Sequence, residues 1–208
     1  MSVRKIAVLV GSLRKESFNR KMAKVLLGLA ASSLKLEIVE IGDLPLYNQD
    51  LDDENRPPEV WQKFRTQIKG YDGVLFVTPE YNRSIPGVLK NAIDVGSRPY
   101  GKSVWEGKPA AVVSVSPGAI GGFGANHHLR QCMVFLNMPA MQQPEAYISN
   151  AAKLFSADGS LTQNETREFL EKFMKAFAEW VELHCEEEAS ESVASKRKGS
   201  EEIRPGHS

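Results

Sequence analysis

Groups suited to holding a phosphate follow the first apolar run of the chain. Residues 11–19 lie between a predicted strand and a predicted helix. The first turn of a helix presents unpaired backbone N–H groups and the positive end of the helix dipole, which together favour an anion. The same segment adds side-chain donors that suit phosphate oxygens, namely Ser12, Arg14, Ser17 and Asn19. It therefore indicates a site for a phosphate monoester.

Two later segments have the composition of ligand-binding loops, and the first of them suits a planar heterocycle. Residues 78–87 contain prolines that stiffen the backbone, with the aromatic face of Tyr81 and the donor and acceptor of Asn82 between them. Residues 114–124 are rich in glycine directly after an apolar run. Such glycines indicate close approach of the backbone to a ligand or to another chain.

Each of the three segments also fits a simpler interpretation. The first could be an ordinary helix start, with Ser17 as the N-cap and Arg14 in solvent. The second could be a turn with polar surface residues, and the third a flexible connection. The residues alone leave these alternatives open.

Strands and helices alternate along the chain, which predicts an α/β fold. Apolar runs predict strands at residues 6–10, 36–41, 73–78 and 110–115, and a weaker pattern suggests a fifth at 140–143. Helices are predicted at 19–31, from Pro57 or Pro58 to Lys69, and at 87–95, 126–136 and 162–187. Thr162 is the expected cap of the last helix, and residues 42–58 are expected to form a loop.

Five strands joined by helices favour a flavodoxin-like three-layer sandwich. Its parallel sheet would have the order 2-1-3-4-5, with helices on both faces. Ligands of such sheets bind beyond the carboxyl ends of the strands. Because all three segments follow strands at that edge, we expect them to converge on one site.

The composition is that of a globular protein without charge bias. The 208 residues carry 26 Lys and Arg and 26 Asp and Glu, so no net field favours nucleic acid or a membrane surface. No apolar run reaches the roughly 20 residues that span a bilayer, and the first one is too short for a signal peptide. Cys132 and Cys185 do not suggest a disulfide framework. We expect a soluble, cytoplasmic protein.

One domain over residues 1–188 fits this length. Residues 189–208 hold few large apolar side chains, and they are expected to be a disordered tail or a cloning remnant. A metal site is not expected, because the adjacent His127 and His128 point in different directions on a helix.

The motifs, taken in order, resemble the NADPH-dependent FMN reductase family, and within it the branch that reduces quinones and chromate. The likeness extends over about residues 4–180. The matching motifs are Gly-Ser-Leu-Arg at 11–14, Ser-Phe-Asn at 17–19, Pro-Glu-Tyr-Asn at 79–82, Leu-Lys-Asn-Ala-Ile-Asp at 89–94, Gly-Lys-Pro at 107–109, Gly-Gly at 121–122 and Leu-Arg-Gln at 129–131. The resemblance implies a flavodoxin-like fold, a tightly held FMN and a homodimer or homotetramer.

By the same resemblance, the first segment would surround the FMN phosphate and ribityl chain, the second would line the isoalloxazine, and the third would contact its pyrimidine side. The implied FMN-binding residues are Ser12, Leu13, Arg14, Ser17, Phe18, Asn19, Pro79, Glu80, Tyr81, Asn82, Val115, Ser116 and Gly118. The chain departs from the family at Val95, where Trp is frequent, and at the charged insertion 98–102. These departures concern substrate preference and subunit packing rather than the flavin.

The implied activity is electron transfer from NADPH or NADH through FMN to a quinone, or to chromate or a similar small acceptor. The flavin carries that chemistry, so no catalytic acid or base is expected among the side chains. Three alternatives stay open: an enzyme that reduces and releases FMN, a flavodoxin-type electron carrier, and a regulatory module without flavin. Balanced charge counts against the carrier, since such carriers are typically strongly acidic.

Overall fold

Five parallel strands form one sheet at the centre of the protein, in a computed structural model that describes residues 2–201. The strands are β1 (Arg4–Val10), β2 (Leu34–Val39), β3 (Gly73–Thr78), β4 (Ala110–Val115) and β5 (Ala146–Ile148). Their spatial order is β2-β1-β3-β4-β5, and every neighbouring pair is parallel. The predicted fold class and strand order are confirmed.

Helices cover both faces of the sheet because the strand side chains alternate between two apolar cores. The helices are α1 (Phe18–Gly28), α2 (Gln49–Asp53), α3 (Glu59–Lys69), α4 (Gly87–Gly96), α5 (Phe123–Phe135) and α6 (Asn164–Glu201). On β1, Ile6 and Val8 face the core closed by α1 and α6, whereas Ala7 and Leu9 face the core closed by α3, α4 and α5. Burial on both faces explains the nearly continuous apolar sequence of the strands.

The fifth strand lies further along the chain than predicted. The predicted segment, residues 140–143, forms only an isolated bridge between Ala140 and Ala110. Two hydrogen bonds with Ala110 flank that bridge, and although Met141 is buried, the two glutamines after it are exposed and continue no ladder. Regular pairing with β4 begins at Ala146, and the first and last side chains of β5 are buried. The prediction of a strand at 140–143 was wrong.

Two predictions about segment boundaries were also wrong. Thr162 does not cap α6: its hydroxyl donates to the carbonyl oxygens of Lys153 and Leu154, and the helix begins at Asn164. The predicted 42–58 loop is interrupted by the short helix α2. Asn48 caps that helix, because its side-chain oxygen accepts a hydrogen bond from a first-turn N–H group.

The last helix runs to Glu201, past the predicted end at Glu187. Helical backbone therefore extends into the segment 189–208, for which disorder was expected. The side chains of residues 186–201 and all of residues 202–208 lie outside the described residues, so the division at residue 188 stays a prediction. Within residues 2–201, no helix is both long enough and apolar enough to cross a membrane.

Four loops lie at the edge formed by the carboxyl ends of the strands. The first loop (residues 11–17) follows β1, the second loop (79–86) follows β3, and the third loop (116–122) follows β4. The fourth loop (40–48) follows β2. Parallel strands place all four at the same edge, which is where open α/β sheets bind ligands.

A largely buried ion pair holds α2 against α3. Arg65 donates two hydrogen bonds to the Asp52 carboxylate, at 2.8 and 2.7 Å, and its Nε donates to the carbonyl oxygen of Val95 at 2.9 Å. The side chains of Arg65 and Asp52 are only 10% and 2% exposed. The hydrogen bonds from Arg65 hold the pKa of Asp52 below its ordinary value.

Replacing Asp52 by Asn is expected to lower the free energy of unfolding by about 2–4 kcal/mol at pH 7, because the guanidinium stays buried and loses its counter-charge. Folding lowers the pKa of Asp52, so the carboxylate stabilises the fold above its unfolded pKa. The difference between wild type and variant should begin to shrink below about pH 4, where Asp52 of the unfolded chain takes up a proton, and should be lost as the pH falls through the lower pKa of the folded state. Urea unfolding at pH 7 and at acid pH measures both values.

The matched control is Asp50→Asn, which removes an exposed carboxylate from the same helix. We expect it to change the unfolding free energy by less than about 1 kcal/mol. Equal effects of the two substitutions would contradict the assignment.

Candidate functional site

Asn19, in the first turn of α1, connects the start of that helix to the end of β4, directly before the third loop. The residue is 4% exposed, and its Nδ2 donates to the carbonyl oxygen of Val115 at 3.3 Å. The other amide atom, Oδ1, is buried and has no hydrogen-bond partner among the described residues. An orphaned buried acceptor costs free energy, so it indicates a donor supplied by a ligand. A hydroxyl group on a polyol chain is such a donor.

The backbone of the first loop is a cluster of free donors. Within the described part of the chain, no backbone N–H group from residue 12 to residue 19 donates a hydrogen bond. Ser17 caps α1, since its Oγ accepts from the N–H of Arg20 at 3.3 Å. Ser12 and Ser17 are 5% and 2% exposed, so both hydroxyls sit beside these amides and away from bulk water. Free amides at a helix N-terminus attract a phosphate.

Of the larger side chains in this region, those of Arg14 and Leu13 are exposed, whereas that of Phe18 packs inward. Arg14 is exposed and forms no ion pair within residues 2–185, so it can fold over an anion at the first loop. Leu13 is 59% exposed. The ring of Phe18 stacks on Phe155 with centroids 6.2 Å apart and packs against the core. Phe18 therefore offers a ligand its backbone rather than its ring.

The second loop contains a tight turn held by paired backbone hydrogen bonds. The N–H of Tyr81 donates to the carbonyl of Ser84 at 3.1 Å, and the reverse bond is 3.0 Å long. The two residues between them, Asn82 and Arg83, have φ angles of 51° and 64°. Positive φ at both positions is typical of a type I′ turn, and it strains an arginine. The turn leaves Tyr81 48% exposed, so its ring can contact a ligand.

Glu80 joins the second loop to the start of α5. Its Oε2 accepts a hydrogen bond from the N–H of Ala125 at 3.1 Å, and this satisfies one of the free amides of the first turn. A Cβ atom on Gly124 would lie 2.7 Å from the backbone carbonyl oxygen of Arg83 and 2.9 Å from Oε2 of Glu80, so only glycine fits there. Because the carboxylate faces α5, Glu80 can contact a flavin ring only through its backbone. Pro79, the preceding residue, is buried.

The glycines of the third loop are required by other parts of this chain. A Cβ atom on Gly121 would lie 2.6 Å from the backbone of Tyr147 in β5. One on Gly122 would lie 3.0 Å from Cβ of Ser114 in β4. Both glycines have positive φ, at 60° and 77°. The neighbours of these two glycines are β5 and β4 of the same chain, and the expected approach to a ligand or to another chain stays a prediction.

The start of the third loop keeps groups available at the sheet edge. The hydroxyl of Ser116 accepts from the N–H of Gly118 at 3.1 Å, and Gly118 itself is exposed. The side chain of Val115 is buried, and its carbonyl oxygen is the atom that Asn19 binds. This region therefore presents backbone and a hydroxyl to the site, rather than charged side chains.

A buried polar cluster supports the third loop, and the sequence analysis did not identify it. Asn126 on α5 is fully buried, and its Nδ2 donates to Oγ of Ser114 at 3.3 Å and to the carbonyl of Ala146 at 3.4 Å. Arg130, one turn later, donates from Nε to Oδ1 of Asn126 at 3.1 Å. The available signal was an Asn on the same face of the helix as Leu129, where burial leaves no water to bind it.

These contacts bring the three predicted segments together around groups that fit FMN. The hydrogen bond from Asn19 to Val115 links the first and third segments, and a Cβ atom on Gly11 would lie 3.2 Å from Cδ of Pro79 in the second. Free amides at the start of α1 fit the phosphate, and the orphaned Oδ1 of Asn19 fits a ribityl hydroxyl. The exposed ring of Tyr81 fits a planar heterocycle.

Comparison with known proteins gives close relatives over most of the chain. A quinone reductase of Pseudomonas putida is 66% identical over 179 residues, which are 86% of this chain and 95% of that protein. A 2-hydroxy-1,4-benzoquinone reductase of a Burkholderia species is 50% identical over 85% of this chain and 96% of its own length. The structure of FerB, a flavoenzyme NAD(P)H:(acceptor) oxidoreductase from Paracoccus denitrificans, superposes with a TM-score of 0.81 at 47% identity, covering 88% of this chain and 99% of that one.

The family profile described as NADPH-dependent FMN reductase matches residues 4–153, which include the first three loops and the strands that carry them. Fold, loop placement and sequence thus agree, and the chain belongs to the NADPH-dependent FMN reductase family.

Proposed function

We propose that this protein is an FMN-dependent quinone reductase that uses NADPH or NADH as electron donor. The overall reaction converts NAD(P)H, a proton and a quinone into NAD(P)⁺ and a hydroquinone. The chemistry that FMN supplies when bound is the two-electron transfer between nicotinamide and acceptor. The quinone reductases among the relatives support the choice of acceptor.

The observation that carries the proposal is the set of free donors in the first loop. Backbone amides of residues 12–19 have no acceptor within the described chain, and Oδ1 of Asn19 has no donor. Ser12 and Ser17 add buried hydroxyls beside them. A phosphate and a ribityl chain would supply partners for both; without a ligand, the exposed amides of residues 13–16 would bind water, but the buried Oδ1 of Asn19 would stay unpaired.

The other loops orient the ligand and exclude water. Exposed Tyr81 offers an aromatic face to a flavin or nicotinamide ring, and the stiff turn after it limits its movement. Backbone N–H groups of the second and third loops would stabilise negative charge on a reduced heterocycle. No side chain is required as a catalytic acid or base. Reduction of chromate and a cytoplasmic location stay predictions.

The purified protein is expected to show visible flavin absorbance that survives dialysis. Anaerobic NADPH should bleach that absorbance, and a benzoquinone should restore it, because the electrons pass from donor to acceptor in two separate steps. Absorbance spectra recorded after each addition follow the reduction and reoxidation of the flavin. Loss of flavin on dialysis would favour an enzyme that releases reduced FMN, and bleaching without reoxidation by quinone would overturn the proposed acceptor.

Arg14→Ala is expected to weaken FMN binding by about 1.5–3 kcal/mol, roughly ten- to a hundredfold, because a charge-assisted hydrogen bond to the phosphate is lost. Titration of the apoprotein with FMN, followed by fluorescence, gives the dissociation constant. The control is Lys24→Ala, which removes an exposed cation from the middle of α1. Undiminished affinity in Arg14→Ala would exclude the guanidinium from the phosphate site.

An apolar face on α5 supports the expected self-association. Val134 and Phe135 are each 79% exposed. Phe135 borders a groove of about 470 Å³ between α4 and α5, whose wall also carries the ion pair of Lys90 and Asp94. A two-fold axis places the same surface of two copies face to face. A surface that carries an apolar patch and charges of both signs can be complementary to itself in that arrangement. We infer a homodimer, or a homotetramer built from it.

Phe135→Ser is expected to shift the protein to the monomer, because it removes the largest exposed apolar side chain from this face. Light scattering after size-exclusion chromatography gives the mass. Leu183→Ser, at a 51% exposed position on α6, is the control and should leave the mass unchanged. An unchanged mass in Phe135→Ser would place the subunit contact elsewhere.

A further inference from the structure

A buried asparagine holds the fourth loop in one conformation. Asn91 on α4 is 7% exposed. Its Nδ2 donates to the carbonyl oxygens of Leu44 and Pro45, at 3.1 and 3.0 Å, and its Oδ1 accepts from the N–H of Tyr47 at 2.8 Å. The amide N–H₂ group and the side-chain carbonyl of Asn91 thus all form hydrogen bonds with the backbone of one loop.

A second side chain reinforces this clamp. Trp61 on α3 is fully buried, and its Nε1 donates to the carbonyl oxygen of Pro45 at 3.0 Å. The rings of Tyr47 and Trp61 also pack with centroids 5.2 Å apart. Residues 44–47 are therefore fixed from α3 and from α4, although they lie in a loop at the surface.

The fourth loop borders the first loop and shares an apolar core with the second. A Cβ atom on Gly42 would lie 3.1 Å from Cδ2 of Leu13, so the start of the fourth loop lies against the first. Leu44 and Tyr47 pack on the same apolar core as Ile85 of the second loop. The fourth loop thus forms the β2 side of the edge at which the flavin site lies.

The clamp presents one large apolar side chain to solvent. Leu46, which lies between the clamped residues Pro45 and Tyr47, is 81% exposed. A single exposed leucine is common on protein surfaces. This one differs because the backbone on both sides is held by buried polar groups, so its position is fixed. Leu13 and Tyr81 of the neighbouring loops are also exposed, at 59% and 48%, which makes this edge apolar as well as rich in donors.

We propose that Leu46 is a specificity-determining contact for the apolar ring or side chain of the quinone, and that Asn91 is the positioning residue that holds it there. This inference rests on the proposed quinone reductase function. It assigns a role to the asparagine of the motif at residues 89–94, which lies outside the predicted FMN-binding set.

Leu46→Ala is expected to raise KM for an alkyl-substituted benzoquinone about three- to tenfold, because apolar area buried on binding is lost. The FMN content, kcat and the KM for ferricyanide, a hydrophilic acceptor, should stay as in wild type. Asn91→Ala should raise the quinone KM to a similar extent. The double variant should show no further increase, because the asparagine acts through the leucine.

Amide hydrogen exchange provides a readout that does not depend on turnover. Exchange at Tyr47 should accelerate in Asn91→Ala, which loses the acceptor of that N–H group, and should be unchanged in Leu46→Ala. Leu183→Ala, on α6, is the control for loss of an exposed leucine and should keep the wild-type KM.

The outcomes separate this inference from the proposed function. If the wild-type protein holds flavin but does not reduce the quinone, the proposed function fails and the inference with it. If the wild type reduces the quinone and Leu46→Ala keeps its KM, only the inference is overturned. A changed oligomeric mass in Leu46→Ala would assign the leucine to a subunit contact, and equal losses with quinone and ferricyanide would assign Asn91 to the fold alone; either result overturns the proposal.

Discussion

Unpaired amides at the start of α1 dominate the chemistry of this protein. Backbone N–H groups from residue 12 to residue 19 have no acceptor within the described chain, and the helix dipole adds positive potential at the same point. Amides at a helix start bind anions readily, and we propose that the FMN phosphate is the anion that pairs with them here. The position of that anion determines where the remainder of a flavin nucleotide can lie, and therefore which loops can contact it.

The loops at the carboxyl edge of the sheet are held in place by contacts within the chain. Asn19 binds the strand end before the third loop, Glu80 binds the first turn of α5, and Asn91 binds the fourth loop. Each contact uses a buried or half-buried polar group with its partner on a distant segment. The site is therefore largely formed by the fold itself, which reduces the ordering that binding must impose. A preformed site can hold a cofactor in one orientation, and the cofactor then carries out the electron transfer.

Sequence patterns predicted those parts of the fold that burial determines locally. The strand at 73–78 is buried on both faces and was predicted with both its ends, whereas the three-residue β5 depends on its pairing with β4 and was misplaced. Within the site, Ser12 and Asn19 were predicted from their place at a helix start. The contacts of Glu80 and Asn91 were not predictable, because each depends on a segment more than forty residues away.

Binding of FMN and riboflavin to the apoprotein, compared by isothermal titration calorimetry, tests the central claim most directly. The two ligands differ only in the phosphate that the start of α1 is proposed to hold. Because riboflavin cannot form the charge-assisted hydrogen bonds of the phosphate dianion, FMN should bind at least about a hundredfold more tightly. Equal affinities for the two ligands would contradict the account.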